Sequence, residues 1–435
     1  MNIFKTSFLS AIETAVKLAS GFVVIKYIAI ETGPSGVAFF GQFQNFFSAF
    51  LILISGGFTT GLVRYSSQEK INATKKNYLG NALGIGLVVS LVTGGVVCFF
   101  ANTLSYLTLN SGEFTSIFYL LALCGTLIMI YQVIISVLNG WGELYKLILC
   151  KLTCSLSLLI FSLIFVRLYG VYGGLIALVV MQSIGSLLAL LLISKVKNFH
   201  WRWLIPRFDY LIFKDFVPYW LMGLVTLIST PLALMLIRTH IAAYSNWDVV
   251  GLWEASWKIS ELYLLVITTA LTTYYVPKLS QAIDGYAENK TVVEVLTWGV
   301  IAAACLAIGV YSFRQLIVTL LFSNSFSAVS NLLTFQLLGS VIKIAAWVFA
   351  FHMLVKGNIK LFLISELVFG STFYLLSILF FDYFGLIGLS YAYFLNYILY
   401  LIFCFVYYCQ QYCAVCERES LLEKAKIIGS KYAQG

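Results

Sequence analysis

Two tryptophans, two glutamates and a lysine crowd the run Trp253-Glu254-Ala255-Ser256-Trp257-Lys258-Ile259-Ser260-Glu261, inside a stretch from Val249 to Val276 that is otherwise apolar. At about 100° per residue, Trp253, Trp257, Glu261, Glu254 and Lys258 fall within about 140° of one another on one helix face. A charge facing lipid costs roughly 3 kcal/mol on the insertion scale, so this face must look into protein or water. Two readings fit it. One is a self-neutralising Glu–Lys–Glu ladder that locks two helices together. The other is one wall of a polar translocation cavity.

Other stripes repeat the pattern. The first apolar helix carries Thr6, Ser10, Glu13, Lys17 and Ser20 at steps of four and three, with Glu13 and Lys17 in the favourable i, i+4 order. The second carries Asn45, Ser48, Ser55 and Thr59, and a later one Gln336, Ser340, Lys343 and Trp347. Small polar residues at this spacing also serve as helix-packing contacts. A lysine there is different, because a buried cation needs an anionic partner or water. Lys26 and Arg238 stand at matching outer ends of two helices, where they either snorkel to the interface or turn inward. Pro231 removes a backbone hydrogen bond and predicts a kink seven residues before Arg238.

No catalytic residues are expected. The sequence has no phosphate-binding glycine loop, no metal-ligand pair of histidines, and no Ser/His/acid set; His200, His240 and His352 are scattered. Cys413-Ala-Val-Cys416 has ligand-like spacing without a second pair, so no metal is expected there.

These elements belong to an all-α polytopic membrane protein. The chain has 435 residues, 61% hydrophobic and 10% charged, where a soluble domain carries about 25% charged residues. Its repeated apolar runs are twice the length of barrel strands, so the spans are helices. The first is too long and too polar for a signal peptide. Twelve spans are predicted: 6–30, 38–62, 78–101, 114–138, 146–166, 173–194, 217–242, 249–275, 293–311, 331–354, 361–381 and 386–408. Of 27 basic residues, twenty lie in loops on the side of the N-terminus, and only Arg167 and Arg314 in loops on the other. Both termini are therefore expected in the cytoplasm. The net charge of +9 follows membrane topology and predicts no nucleic-acid partner. Apart from Lys146, Lys151 and Glu294 at span ends, which are counted with the loops, nine charges fall within spans: Glu13, Lys17, Lys26, Arg238, Glu254, Lys258, Glu261, Lys343 and Glu366. A bundle that accepts them needs a polar interior.

An internal repeat organises the spans. Gly36-Val37 recurs as Gly251-Leu252, Val63 to Gln68 as Val276 to Gln281, and Tyr169-Gly170-Val-Tyr-Gly173 as Phe384-Gly385-Leu-Ile-Gly388, all at nearly equal offsets. The predicted division is an N-terminal six-helix bundle over 1–194, an amphipathic cytoplasmic linker over 195–216, a C-terminal six-helix bundle over 217–408 and a cytoplasmic tail over 409–435. Two halves of equal orientation imply a pseudo-twofold axis along the membrane normal.

The runs Pro231-Leu-Ala-Leu-Met-Leu-Ile-Arg238, Ser245-Asn-Trp-Asp-Val-Val-Gly251-Leu-Trp253, Tyr275-Val-Pro277-Lys-Leu-Ser280, Thr32-Gly33-Pro34-Ser35-Gly36 and Phe322-Ser-Asn-Ser-Phe326 resemble the Wzx-type flippases of undecaprenyl-diphosphate-linked oligosaccharides. That family includes O-antigen flippases and the enterobacterial common antigen lipid III flippase. The resemblance implies the multidrug/oligosaccharidyl-lipid/polysaccharide exporter fold, with two bundles around a V-shaped cationic cavity in a bacterial inner membrane. It implies an O-antigen repeat unit as substrate, its lipid tail left in the bilayer between the bundles.

On the stripes above, Lys17, Lys258, Lys343 and Arg238 are the expected diphosphate-binding cations, and Lys26 is a further expected substrate-binding residue. Trp253, Trp257 and Trp347 are expected to face sugar rings, and Glu254 and Glu261 to accept hydroxyl hydrogen bonds. Glu13 and Glu254 are the candidates for H⁺ or Na⁺ coupling; no other cofactor is expected. Membrane lipid, an O-antigen polymerase and a chain-length regulator are the expected partners. The rival from another class is an ion-coupled antiporter of cationic drugs, in which the acids rather than the lysines hold the substrate. Five span bases against four span acids favour an anionic substrate.

The topology is directly testable. A reporter active only outside the cytoplasm is expected to work when fused after Arg167, Ser245 or Asp382, and to be silent after Lys76, Arg207 or Lys356. An active fusion at Arg207 contradicts the two-half arrangement.

Overall fold

The computed structural model describes residues 3–55, 58–72, 78–197, 199–281 and 285–432, except for the side chains of 3–8, 10–11, 68–72, 226, 228 and 413–432. Thr6, Ser10, Gln68, Lys76, Cys413 and Cys416 therefore lie outside the described side chains. Among the described residues the regular structure is helical throughout. The helices are α1 Ile3–Ile54, α2 Thr59–Asn72, α3 Tyr78–Phe99, α4 Ala101–Leu109, α5 Thr115–Gly140, α6 Leu144–Tyr169, α7 Val171–Ser194, α8 Tyr210–Ile228, α9 Thr230–Tyr244, α10 Trp247–Ala270, α11 Val276–Ser280, α12 Gly285–Ser312, α13 Arg314–Leu321, α14 Val329–Val355, α15 Ile359–Phe384 and α16 Leu386–Tyr432.

Eleven helical segments of the described residues are long and apolar enough to cross a membrane. The first, Ile12–Ile54, has 43 residues. At about 1.5 Å per residue it is twice as long as the hydrocarbon core is thick. It holds two of the twelve predicted spans, and no loop separates them. The join is Gly33, whose φ of 68° and ψ of −164° interrupt the helical backbone. Only glycine adopts that conformation without a steric cost, and Pro34 follows at the first turn of the next helix, where its missing N–H is harmless. Thr32 Oγ1 donates to the Ile28 carbonyl at 2.6 Å and closes the preceding turn.

The kink predicted from Pro231 is present. Helix geometry breaks at Ser229 (φ −72°, ψ −106°), and Pro231 lies in the first turn of α9. A five-residue π-turn, Leu271–Tyr275, separates α10 from α11. It turns the Tyr275 hydroxyl to donate to the Val348 carbonyl at 3.0 Å.

The chain divides into two compact units, Met1–Glu254 with Thr319–Phe326, and Ala255–Val318 with Ser327–Gly435. The first is built on α1 packed against α6, and on α5 packed against α3 and α7. Its centre is aromatic: Phe43 and Phe118 meet edge to face at 5.8 Å, and Phe58 stacks on Phe216 at 5.1 Å. In this unit the stretches around Gly36 and Gly251 meet, for the Ser35 amide donates to Asp248 Oδ1 at 3.0 Å. Gly251 lies so close to the Pro34 carbonyl that any side chain there would collide with it. The segment 199–209 is pinned where the Arg207 amide donates to the Gly80 carbonyl of α3 at 3.0 Å, and it leaves Trp201 and Phe208 exposed.

The second unit is built on α14, which packs on α16 and α12, with α15 against α16. The repeat is visible in its turns. Gly385 caps α15 at φ 63°, as Gly170 caps α6 at φ 59° in the first unit. Gly142 and Gly357 form another such pair with the same spacing, at φ 69° and 79°.

Candidate functional site

Each unit holds a cluster of span charges. In the first, α9 follows the break at Ser229 and packs against α1. There the Arg238 guanidinium donates to the Glu254 carboxylate, with both side chains almost fully buried. Arg238 is 1% exposed, so it turns inward rather than snorkelling to the interface. Its guanidinium carbon lies 5.7 Å from the centre of the Trp253 ring. Gly41 leaves the space that Glu254 fills, since a β-carbon there would overlap the carboxylate. Gln42 of α1 donates to the Met235 carbonyl at 3.2 Å and to Thr239 Oγ1 at 3.3 Å, tying α1 to α9 beside the pair. Among the described residues, Arg238 Nε and Nη1 have no hydrogen-bond partner. Elsewhere in this unit Glu13 is buried, Lys17 exposed and Lys26 half-buried. No ion pair joins Glu13 to Lys17 among the described residues.

In the second unit, Lys343 of α14 stands in a ring of aromatic faces. Its Nζ lies 4.8 Å from the centre of Trp347, 4.9 Å from Tyr397, 5.7 Å from Trp257 and 5.8 Å from Tyr393. Beside it, Glu261 accepts from Trp257 Nε1 at 2.9 Å and from Lys258 Nζ at 3.1 Å. Ser340 and Tyr393 share a hydrogen bond of 3.2 Å, and Tyr400 donates to Glu366 at 3.1 Å. A cation above several rings is held by their quadrupoles, which partly replace lost hydration. The site thus offers an ammonium, flat faces and carboxylate acceptors together.

The structure gathers Trp257, Lys258, Glu261, Lys343 and Trp347 into one cluster, and places Arg238, Trp253 and Glu254 in the other. Tyr393, Tyr397 and Tyr400 were not expected in the site. Their spacing of four and three along α16 is the same helical stripe seen elsewhere, but a hydropathy reading absorbs tyrosine into the apolar background. A further cluster in the second unit joins α12 to α14, where the Glu288 carboxylate bonds both His352 and Lys356. No group of His, Cys, Asp and Glu suited to a metal ion occurs among the described residues.

This fold is similar to that of solved transporters. A multidrug resistance MATE family transporter in its inward-facing conformation superimposes with a TM-score of 0.80, at 16% identity, over 93% of this chain and 96% of that one. The lipid II flippase MurJ in an inward closed conformation superimposes with a TM-score of 0.72, at 15% identity, over 92% and 87%. The sequence profile of the polysaccharide biosynthesis protein family matches residues 4–283, and the chain belongs to that family. A lipid III flippase of Escherichia coli (strain K12) is 26% identical over 408 residues, 93% of this chain and 97% of its own length. These relatives are transporters, not enzymes.

The buried pair is testable by itself. Arg238→Ala leaves a carboxylate uncompensated in the core and is expected to lower stability by about 3–5 kcal/mol. Melting in detergent and the amount of protein in membranes would show the loss. An apolar double replacement, Arg238→Met with Glu254→Leu, is expected to recover most of it. A double variant as unstable as the single one contradicts a neutralising role.

Proposed function

We propose that this protein turns an undecaprenyl-diphosphate-linked oligosaccharide, an O-antigen repeat unit, from the cytoplasmic to the periplasmic leaflet of the inner membrane. The observation that carries this reading is Lys343, a span lysine set among aromatic faces rather than against a carboxylate. A cationic drug would find that position already occupied by a like charge, whereas a diphosphate would be attracted to it. Lys258, half-buried beside it, supplies a second ammonium. Lys17 and Lys26 add positive charge to the first unit; Arg238 joins them only if its contact with Glu254 opens. Trp347 faces the sugar rings, Trp257 and Trp253 lie deeper, and Glu261 accepts hydroxyl hydrogen bonds. Membership of the polysaccharide biosynthesis family supports the substrate class.

One observation favours a second reading, the enterobacterial common antigen lipid III as substrate: the curated relative over nearly the whole chain is named a lipid III flippase. The carrier lipid and diphosphate are the same chemistry in both readings, and only the sugars differ. Complementation separates them, since a strain lacking its O-antigen flippase and one lacking its lipid III flippase report on different glycans.

Return of the emptied protein needs a bias of its own. We assign it to the carboxylates Glu13 and Glu254, which would take up H⁺ or Na⁺ when a neighbouring cation is drawn to the diphosphate. Periplasmic polymerisation, by an O-antigen polymerase with its chain-length regulator, would consume the product.

Lys258→Ala and Lys343→Ala are expected to stop surface glycan display while the amount of protein in the membrane stays normal; Lys→Arg at either position retains part of it. Full display by both alanine variants, at normal protein levels, contradicts the diphosphate role.

A further inference from the structure

Lys343 is held by aromatic faces. Among the described residues no carboxylate lies within ion-pair distance of it, although Glu261 and Glu366 are within electrostatic range. Both are engaged elsewhere, Glu261 by Lys258 and Trp257, and Glu366 by Tyr400. The four rings are not equivalent. Trp257 and Tyr393 are 5% and 1% exposed, and they form a buried back wall, joined edge to face at 5.5 Å. Trp347 and Tyr397 are half-buried and nearest the ammonium, so the lysine covers the two faces that a ligand could reach.

An aromatic face attracts positive charge through its quadrupole. The apolar C–H face of a pyranose, weakly positive, uses the same surface, so sugar and ammonium compete for one ring. We propose that Trp347 and Tyr397 form a sugar-stacking subsite masked by Lys343, opened when a diphosphate draws the ammonium away. The site then accepts a glycan only when the glycan arrives attached to diphosphate. This rests on the flippase reading above and adds an order to it: phosphate first, sugar second. Such an order lets the protein ignore free oligosaccharide and sugar headgroups that lack the anion.

The masking makes a prediction of opposite sign to simple charge attraction, in which removing Lys343 can only weaken binding. The probes are the intact lipid-linked glycan, from a strain that relies on this chain for surface display, and the oligosaccharide released from it by mild acid. Each is titrated by calorimetry into the purified full-length protein in detergent. Lys343→Ala is expected to weaken binding of the intact glycolipid and to tighten binding of the released oligosaccharide by about tenfold, ~1.4 kcal/mol. Adding Tyr397→Ala to Lys343→Ala removes that gain, and Lys343→Arg, which keeps a cation over the rings, shows none. Lys343→Gln serves in place of the alanine variant if the latter does not elute as a single folded species.

Released oligosaccharide bound no more tightly by the alanine or glutamine variant than by wild type overturns the masking, while leaving the flippase reading standing if wild type binds the glycolipid. A wild-type protein that binds neither probe overturns both.

Discussion

A charge cannot rest against hydrocarbon, and most of this molecule's architecture follows from that cost. At roughly 3 kcal/mol each, nine span charges facing lipid would oppose insertion more strongly than one apolar helix favours it. The structure meets the cost in three ways. Arg238 and Glu254 neutralise one another in the core of the first unit. Lys258 shares Glu261 with the Trp257 indole, and Glu366 takes a tyrosine hydroxyl. Lys343 is stabilised by aromatic faces. The Arg238–Glu254, Glu366–Tyr400 and Lys343–ring contacts commit the helices that bear them to one another, so the electrostatics and the packing are one problem. The breaks at Gly33 and Ser229 belong to it too, because they aim α1 and α9.

The parts of this arrangement legible in the sequence are those set along a single helix. Apolar run lengths located the spans, and steps of three and four located the polar faces. Pro231 marked a break for a local steric reason, and the repeated glycine turns recur with the predicted spacing. What required the structure is set by how one helix is rotated against another. Spacing along α10 singles out Lys258 as a neighbour for Glu254, yet the carboxylate reaches Arg238 on α9, sixteen residues away in the chain, and Lys258 donates to Glu261. No periodicity encodes that contact; the depth and rotation of two helices decide it. His352 is isolated in sequence, and its partner Glu288 lies 64 residues away. The tyrosines of α16 had the right spacing but were hidden by their apolar character. The join at Gly33 replaces an expected loop because one residue with positive φ redirects a chain without leaving helical hydrogen bonding for long.

The two clusters differ in a way that bears on function. In the first unit a cation is neutralised by a carboxylate and closed off from solvent. Closed, that arrangement holds helices together, and the opening that the coupling proposed for Glu254 requires costs a desolvated charge on each side. In the second unit Lys343 makes no ion pair among the described residues, is half-buried, and is positioned to exchange its aromatic neighbours for an anion. A substrate joining a diphosphate to sugars matches both components of that cluster. A cationic drug matches neither the sign of the charge nor the occupant of the rings.

The sign of the substrate is therefore the central claim, and transport across a reconstituted bilayer tests it most directly. Purified protein in vesicles containing an undecaprenyl-diphosphate-linked oligosaccharide is predicted to bring the glycan to the opposite leaflet, where an added glycosidase or lectin reaches it. The same vesicles are predicted not to accumulate a cationic dye under an imposed pH or Na⁺ gradient. Dye transport with no movement of the glycolipid would contradict the account.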